Sequence, residues 1–241
     1  MEDLALPVIT VSGSLASGAR EVAQAVAAEL NLDYVDHEIL VEAARALGVS
    51  VTAMERHDER RSTVGERLAS VMRTLMERSA AAGTADPLAG GGLETVLARS
   101  YGEAAELGSG AQTGQLDDES YIRTLKSVIK GIAARGNVVI LGRGSQAILQ
   151  HEPETLHAWV AAPREWRIEN IMQREGISKA DAEKRLDKSD RDRDAFHRHY
   201  FKIEPSSPHL YDLGFNGARI RPGVAARMIA IAARELAPKP G

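Results

Sequence analysis

Two apolar rhythms alternate along the chain, one continuous and short, the other spaced for a helix. Val8, Ile9, Thr10 and Val11 form a β-branched run that predicts a strand, and a Gly- and Ser-rich stretch follows from Ser12 to Gly18. Val22, Val26 and Leu30 then recur every four residues, with Ala23 and Ala27 beside them, which predicts a helix. Asp33, Tyr34 and Val35 predict a second short strand, ending at Asp36, His37 and Glu38. Helical spacing continues through 39–82, with Leu40, Ala43, Ala44 and Leu47 on one face and Leu68, Val71, Met72 and Leu75 on another. From 83 to 114 the pattern lapses into a glycine-rich stretch poor in large apolar residues, read as a mobile or partly ordered insertion.

Order returns at Asp117 and Asp118, expected helix caps before Ile122, Leu125, Ile129 and Ile132. Gly136 closes that helix. Val138, Val139, Ile140 and Leu141 are apolar without alternation, so this third strand is expected at the centre of a parallel sheet, buried on both faces. Leu156 to Val160 predicts a fourth strand, and Pro163 is expected at the first position of the next helix. Ser178 and Asp181 form a capping box for another. A last strand is expected from Tyr211 to Asn216, then a helix over 224–236, with a frayed tail at 238–241. Strands alternating with helices predict a parallel, doubly wound α/β sheet.

Charge and composition narrow the function classes. The formal net charge of −4 argues against non-specific nucleic-acid binding, which needs surplus Lys and Arg to displace counterions. Aromatic residues make up only 4%, too few for a base-stacking platform. With no cysteine there is no disulfide, thiol nucleophile or Cys-ligated zinc. Neither a basic-then-apolar leader nor a run long enough to span a membrane is present, so a cytoplasmic location is expected.

The candidate chemistry lies at strand ends. Gly13 and Gly18, separated by Ser14, Leu15, Ala16 and Ser17, have the G-x-x-x-x-G spacing of a phosphate-binding loop, followed by Ala19 and Arg20 rather than Lys and Ser/Thr. Glycines there let backbone N–H groups turn inward, and the helix N-terminus favours an anion. From this segment alone, a phosphate cradle and an idle strand-to-helix turn both stay open. Gly142-Arg143-Gly144 stands just past the end of the third strand, the edge where open α/β sheets bind ligands, and its Arg could present a planar fork to a phosphate. The segment from Arg164 to Lys202 holds eleven Lys or Arg against nine Asp or Glu. On one helix, Lys184, Lys188, Arg191 and Arg198 would share a stripe able to close over a polyphosphate, with Asp187, Asp190 and Asp194 beside it. His197 and His199 lie two apart and would face different ways, there is no H-E-x-x-H zinc motif and no G-x-S-x-G elbow, and Trp159 and Trp166 are read as packing residues.

Together these segments resemble the cytidylate kinase-like family, a branch of the P-loop nucleoside monophosphate kinases. The likeness is carried by Ile9-Thr10-Val11-Ser12 with Ser17-Gly18-Ala19-Arg20-Glu21, by Tyr34-Val35-Asp36-His37-Glu38-Ile39 and by Val139-Ile140-Leu141-Gly142-Arg143-Gly144. It continues through Arg174-Glu175-Gly176-Ile177-Ser178, Lys188-Ser189-Asp190-Arg191-Asp192-Arg193 and Tyr211-Asp212-Leu213, and leaves out about 55–115. The resemblance implies a single domain over 1–241 with a parallel five-stranded P-loop kinase sheet. It also implies a helical, Gly-rich acceptor-binding insertion at 40–116 and an Arg-rich lid at 164–205. The implied reaction moves the γ-phosphoryl group of ATP to a nucleoside monophosphate such as CMP, with Mg²⁺.

On this resemblance Gly13, Ser14, Ala16, Ser17, Gly18, Ala19, Arg20 and Glu21 would form the ATP site. Asp36, Arg143, Arg185 and Arg198 would bind the acceptor, and Arg20, Arg143, Arg191 and Arg193 would act on the transferring group, with no protein metal-ligand set assigned. Ala19 stands where authentic cytidylate kinases carry the phosphate-loop Lys, while relatives in this branch also lack it and keep the neighbouring Arg. The implied partner is a small-molecule nucleotide, with no nucleic acid or membrane, and a homo-oligomer stays open. A nucleotide-binding regulatory protein with little or no turnover is the alternative.

Overall fold

The computed structural model describes residues 8–37, 101 and 118–236 of the chain. The elements in chain order are β1 (Val8–Gly13), α1 (Ala19–Leu30), β2 (Asp33–Val35), α2 (Asp118–Ala133), β3 (Val138–Leu141) and α3 (Ser145–Ile148). β4 (Thr155–Ala161), α4 (Arg164–Glu175), α5 (Lys179–Phe201), a 3₁₀ turn (Pro208–Leu210), β5 (Leu213–Asn216) and α6 (Pro222–Leu236) follow. The five strands form one sheet in the order β2-β3-β1-β4-β5, every pair parallel. The expected parallel five-stranded sheet is therefore present, and all its strand C-termini meet at one edge.

Side-chain alternation divides the core into two layers. Ile9 and Val11 of β1, Val139 of β3, and Leu156, Ala158 and Val160 of β4 face α1 and α6, where Val22, Val26, Ala226 and Ile229 complete a buried cluster. Val138 and Ile140 face the other way, against Tyr121, Leu125, Val128 and Ile129 of α2 and Phe196 of α5. That two-sided burial explains why β3 reads as unbroken apolar sequence. β3 does not occupy the centre, however: it lies between β2 and β1, and β1 is the middle strand. Burial on two faces marks any interior strand and cannot single out the middle one.

A third cluster lies outside the sheet. Ile168 and Ile171 of α4 pack on Ala182 and Leu186 of α5, with Leu15 and Ala16 of the β1–α1 loop against them. Ser178 caps α5 as expected, its Oγ accepting the Asp181 N–H at 3.2 Å. Pro163 precedes α4 as its N-cap rather than opening it, and β5 starts at Leu213, two residues later than expected. Tyr211 keeps an extended backbone, but its N–H donates to the Pro208 carbonyl of the preceding turn at 3.1 Å; its hydroxyl donates to the Pro205 carbonyl at 2.6 Å and its ring stacks on Trp159. Among the described residues no helix is long and apolar enough to cross a membrane. Apart from residue 101, the expected insertion at 40–116 lies outside the described residues, as does the tail at 238–241.

Candidate functional site

The β1–α1 loop is shaped by close contacts. A Cβ on Gly13 would stand 2.6 Å from both the Ala19 Cβ and the Ser17 Oγ, and 2.8 Å from the Val160 carbonyl, so only glycine fits. Gly18 takes φ +92° and hands the chain to α1, while Ala16 holds φ +59°, a left-handed conformation uncommon outside glycine. Gly217, after β5, comes so near the loop that a Cβ there would collide with the Ser17 carbonyl. The Ser17 hydroxyl is buried and has no hydrogen-bond partner. A buried orphan hydroxyl at the N-terminus of a 12-residue helix suits an anionic oxygen supplied from outside.

At the end of β2, Asp36 is buried, accepts from the Tyr34 hydroxyl at 2.9 Å and pairs with Arg20 at 3.5 Å. Arg20 thus reaches across to the neighbouring strand end, its side chain 44% exposed. Arg143 follows β3 in a left-handed conformation, φ +57°, between two glycines that are also left-handed. Its buried guanidinium contacts the ring nitrogen Nδ1 of His37 and lies over the Tyr101 ring, 5.4 Å from the centroid. Its backbone N–H donates to the Tyr101 hydroxyl at 2.7 Å. His37 belongs to the strand-end pair Asp36-His37 that the sequence offers as able to touch substrate, whereas Tyr101 is not marked in the sequence. No periodic signal marked Tyr101 inside a glycine-rich stretch, and its role depends on contacts with residues 142–143 and 196–197.

The α4–α5 hairpin supplies the remaining wall. Arg185, Ser189 and Arg193 of α5, spaced by four, line the cavity together with Arg174 of α4. Arg174 pairs with Glu21 at 2.6 Å, Arg185 with Glu175 at 2.7 Å, and Arg193 is buried beside the Pro205 carbonyl. The basic stripe expected from Lys184, Lys188, Arg191 and Arg198 lies elsewhere. Lys188 pairs with Asp192, Arg198 donates twice to Glu204, and Arg191 is exposed outside the cavity lining. Helical spacing groups these charges on one stripe but does not say which face of the helix turns inward. The buried positions Leu186, Arg193 and Phe196 mark the inward face, and of the arginines on α5 it is Arg185 and Arg193 that reach the cavity. Asp187 and Asp190 serve arginines of α4 instead, Arg164 and Arg167.

Behind this wall a neutral relay ties α5 to β1. His197 donates from Nδ1 to the Arg193 carbonyl at 2.7 Å and accepts at Nε2 from the Gln146 amide at 3.1 Å, whose oxygen accepts from Ser12 at 3.0 Å. Burial and the Arg193 charge push the His197 imidazole down to about 4, against the opposing pull of its carbonyl partner. It is a core histidine here, not a ligand.

The β1–α1 loop, Asp36, Arg143 and the hairpin arginines enclose one cavity of about 490 Å³ at the C-terminal edge of the sheet. Five arginines and two carboxylates, Glu21 and Asp36, line it. All eight expected ATP-site residues are therefore in it except that Ala19 contributes a buried methyl and Glu21 is engaged with Arg174. A larger opening of about 580 Å³ lies at the opposite sheet edge, by Val8, Lys130 and Glu152, away from every expected site residue. No group of three or more His, Cys, Asp or Glu suited to a metal occurs among the described residues.

Comparison with known proteins shows what the chain and its fold are similar to. Over 95 residues the chain is 27% identical to cytidylate kinase from Methanopyrus kandleri, a match covering 36% of this chain and 49% of that protein, so it spans about half the relative's length. An uncharacterized protein from Eubacterium ventriosum has a similar structure, with TM-score 0.54 and 15% identity over 95% of this chain and 98% of the other. Shikimate kinase from Acinetobacter baumannii, solved with shikimate, gives TM-score 0.46 and 12% identity over 96% and 95%. The family model of the cytidylate kinase-like family matches residues 8–218, from the first strand past the last, and the chain belongs to that family.

Proposed function

We propose that the protein is a nucleoside monophosphate kinase-like phosphotransferase, moving the γ-phosphoryl group of ATP to a nucleoside monophosphate such as CMP. The observation that carries this reading is the single cavity that joins an anion-receptive loop to a buried Arg143 and to hairpin arginines. In it the loop N–H groups and the α1 N-terminus hold the donor phosphates, with the Ser17 hydroxyl donating to one of their oxygens. Arg143, fixed by Tyr101 and His37, orients the acceptor phosphate. The acceptor oxygen attacks the γ-phosphorus, the bond to the bridging oxygen breaks, and ADP leaves as the diphosphate forms. A phosphate acceptor is largely deprotonated at neutral pH, so no general base is needed. Arg185 and Arg193 neutralise charge on the moving group, where positioning and electrostatics supply most of the catalysis.

Mg²⁺ typically arrives on substrate phosphates and takes one or two protein oxygens, and the Ser17 hydroxyl and Asp36 carboxylate are the described groups that fit that need. Bound there, it would neutralise charge on the phosphates. A second reading, a nucleotide-binding protein with little turnover, draws on Ala19, whose buried methyl offers no cation inside the loop, and on Arg20, which reaches Asp36.

An ADP-release assay with ATP, Mg²⁺ and a panel of nucleoside monophosphates separates the two. Turnover with at least one acceptor is expected. Binding of ATP without turnover across the panel would favour the second reading, and absence of nucleotide binding would remove both.

A further inference from the structure

The loop between β1 and α1 is gripped from outside by a side chain of α4. Arg167 is buried, and its guanidinium uses three N–H groups at once. Nε donates to the Leu15 carbonyl at 2.7 Å, while the two terminal nitrogens donate to the carboxylate of Asp190 on α5 at 2.9 and 2.7 Å. Three residues along α4, the Asn170 amide donates to the Ala16 carbonyl at 3.4 Å. Leu15 and Ala16 also pack against the hairpin's apolar cluster.

These contacts fix which way the loop peptides face. No peptide bond among the described residues is cis, so the N–H of each peptide points opposite to its C=O. With the Leu15 carbonyl turned toward Arg167, the Ala16 N–H is turned away from α4. Ala16 meanwhile holds a left-handed backbone as a non-glycine residue, a conformation that persists only where the surroundings impose it. Position 19, inside the loop, carries only a methyl group.

We propose that Arg167, locked by Asp190, is the positioning residue of the phosphate loop, setting its peptide orientation from the α4 side. The proposal rests on the reading of this loop as a phosphate cradle. Arg167 acts through the Leu15–Ala16 peptide and not by touching phosphate. It therefore couples donor binding to the docking of the α4–α5 hairpin.

Titration with ATP·Mg²⁺, with inorganic tripolyphosphate, and with CMP tests this on the full chain. Arg167→Ala is expected to weaken ATP and tripolyphosphate by the same factor, about ten- to hundredfold, because the effect falls on phosphate and not on the base. CMP affinity should stay within about twofold. Arg167→Lys should fail to restore the loss, since an ammonium cannot hold a carboxylate bidentately while donating to a carbonyl in the same plane. The Ala16 amide resonance should shift in both variants before any ligand is added. Should Arg167→Ala not fold, Asp190→Asn, which loosens the fork without removing it, should still weaken both donors together by several fold. Unchanged donor affinity in a folded variant, or full rescue by Lys, would overturn the proposal while leaving the phosphate-loop reading in place. Wild-type protein that bound neither ATP nor tripolyphosphate would overturn both.

Discussion

His197 shows how a single buried side chain makes stability depend on pH. Its ring is neutral in the folded state, with both nitrogens committed and its titration pushed down to about 4, whereas an unfolded histidine titrates near 6.5. Below 6.5 the unfolded chain binds a proton that the native state refuses. Stability is therefore complete above about 6.5 and falls as the pH drops toward 4, by roughly 3 kcal/mol in all. Urea unfolding of wild type and His197→Gln between pH 7 and 4.5 should show a shallower slope in the variant. His157, also pushed down by burial, contributes in the same direction and remains in both proteins, so the difference isolates His197. An identical slope would show that folding does not lower the titration of this ring. Sequence could place His197 on a different face from His199, but not decide that its face was the buried one, since its partners are 51 positions away at Gln146 and a turn back at Arg193.

The hairpin of α4 and α5 holds its shape through four apolar side chains, and Leu186 is fully buried among them. Leu186→Ala should cost about 2–5 kcal/mol through lost transfer energy and the cavity left behind. Because Leu15 and Ala16 lean on the same cluster, the variant should also bind ATP more weakly. Thermal melts and calorimetric titration measure the two effects, and full stability with Leu186 truncated would mean the cluster is not closed. Elements with a continuous local signal were legible in the sequence: β1 by its branched run, α1 by four-residue spacing, and the start of α5 by its capping box. The glycine loop and Gly142-Arg143-Gly144 were legible as site material for the same reason, since each sits beside a strand that announces itself. What could not be read was partnership across the fold. Arg167 looks like any charged helix position until Leu15, 152 residues earlier, comes within reach. α3 is only four residues long, too short for periodicity to register.

At the scale of the whole molecule, a nucleotide that binds only the folded state should stabilise it by about 2.7 kcal/mol at a hundred times Kd, visible as a rise in Tm with ATP·Mg²⁺. No rise at millimolar nucleotide would count against the donor site. The reach of that stabilisation follows from α5. Its 23 residues make a rod about 34 Å long. Ala182 near one end belongs to the cluster that touches the β1–α1 loop, whereas Phe196 near the other is buried against Tyr121 and β3. An unbroken helix has no joint at which to absorb motion. Tightening at the loop is thus passed along the rod as a small rigid displacement, felt where its far end is clamped. Amide hydrogens of α2, which never meet the ligand, should then exchange more slowly once nucleotide is bound, in step with those of α4.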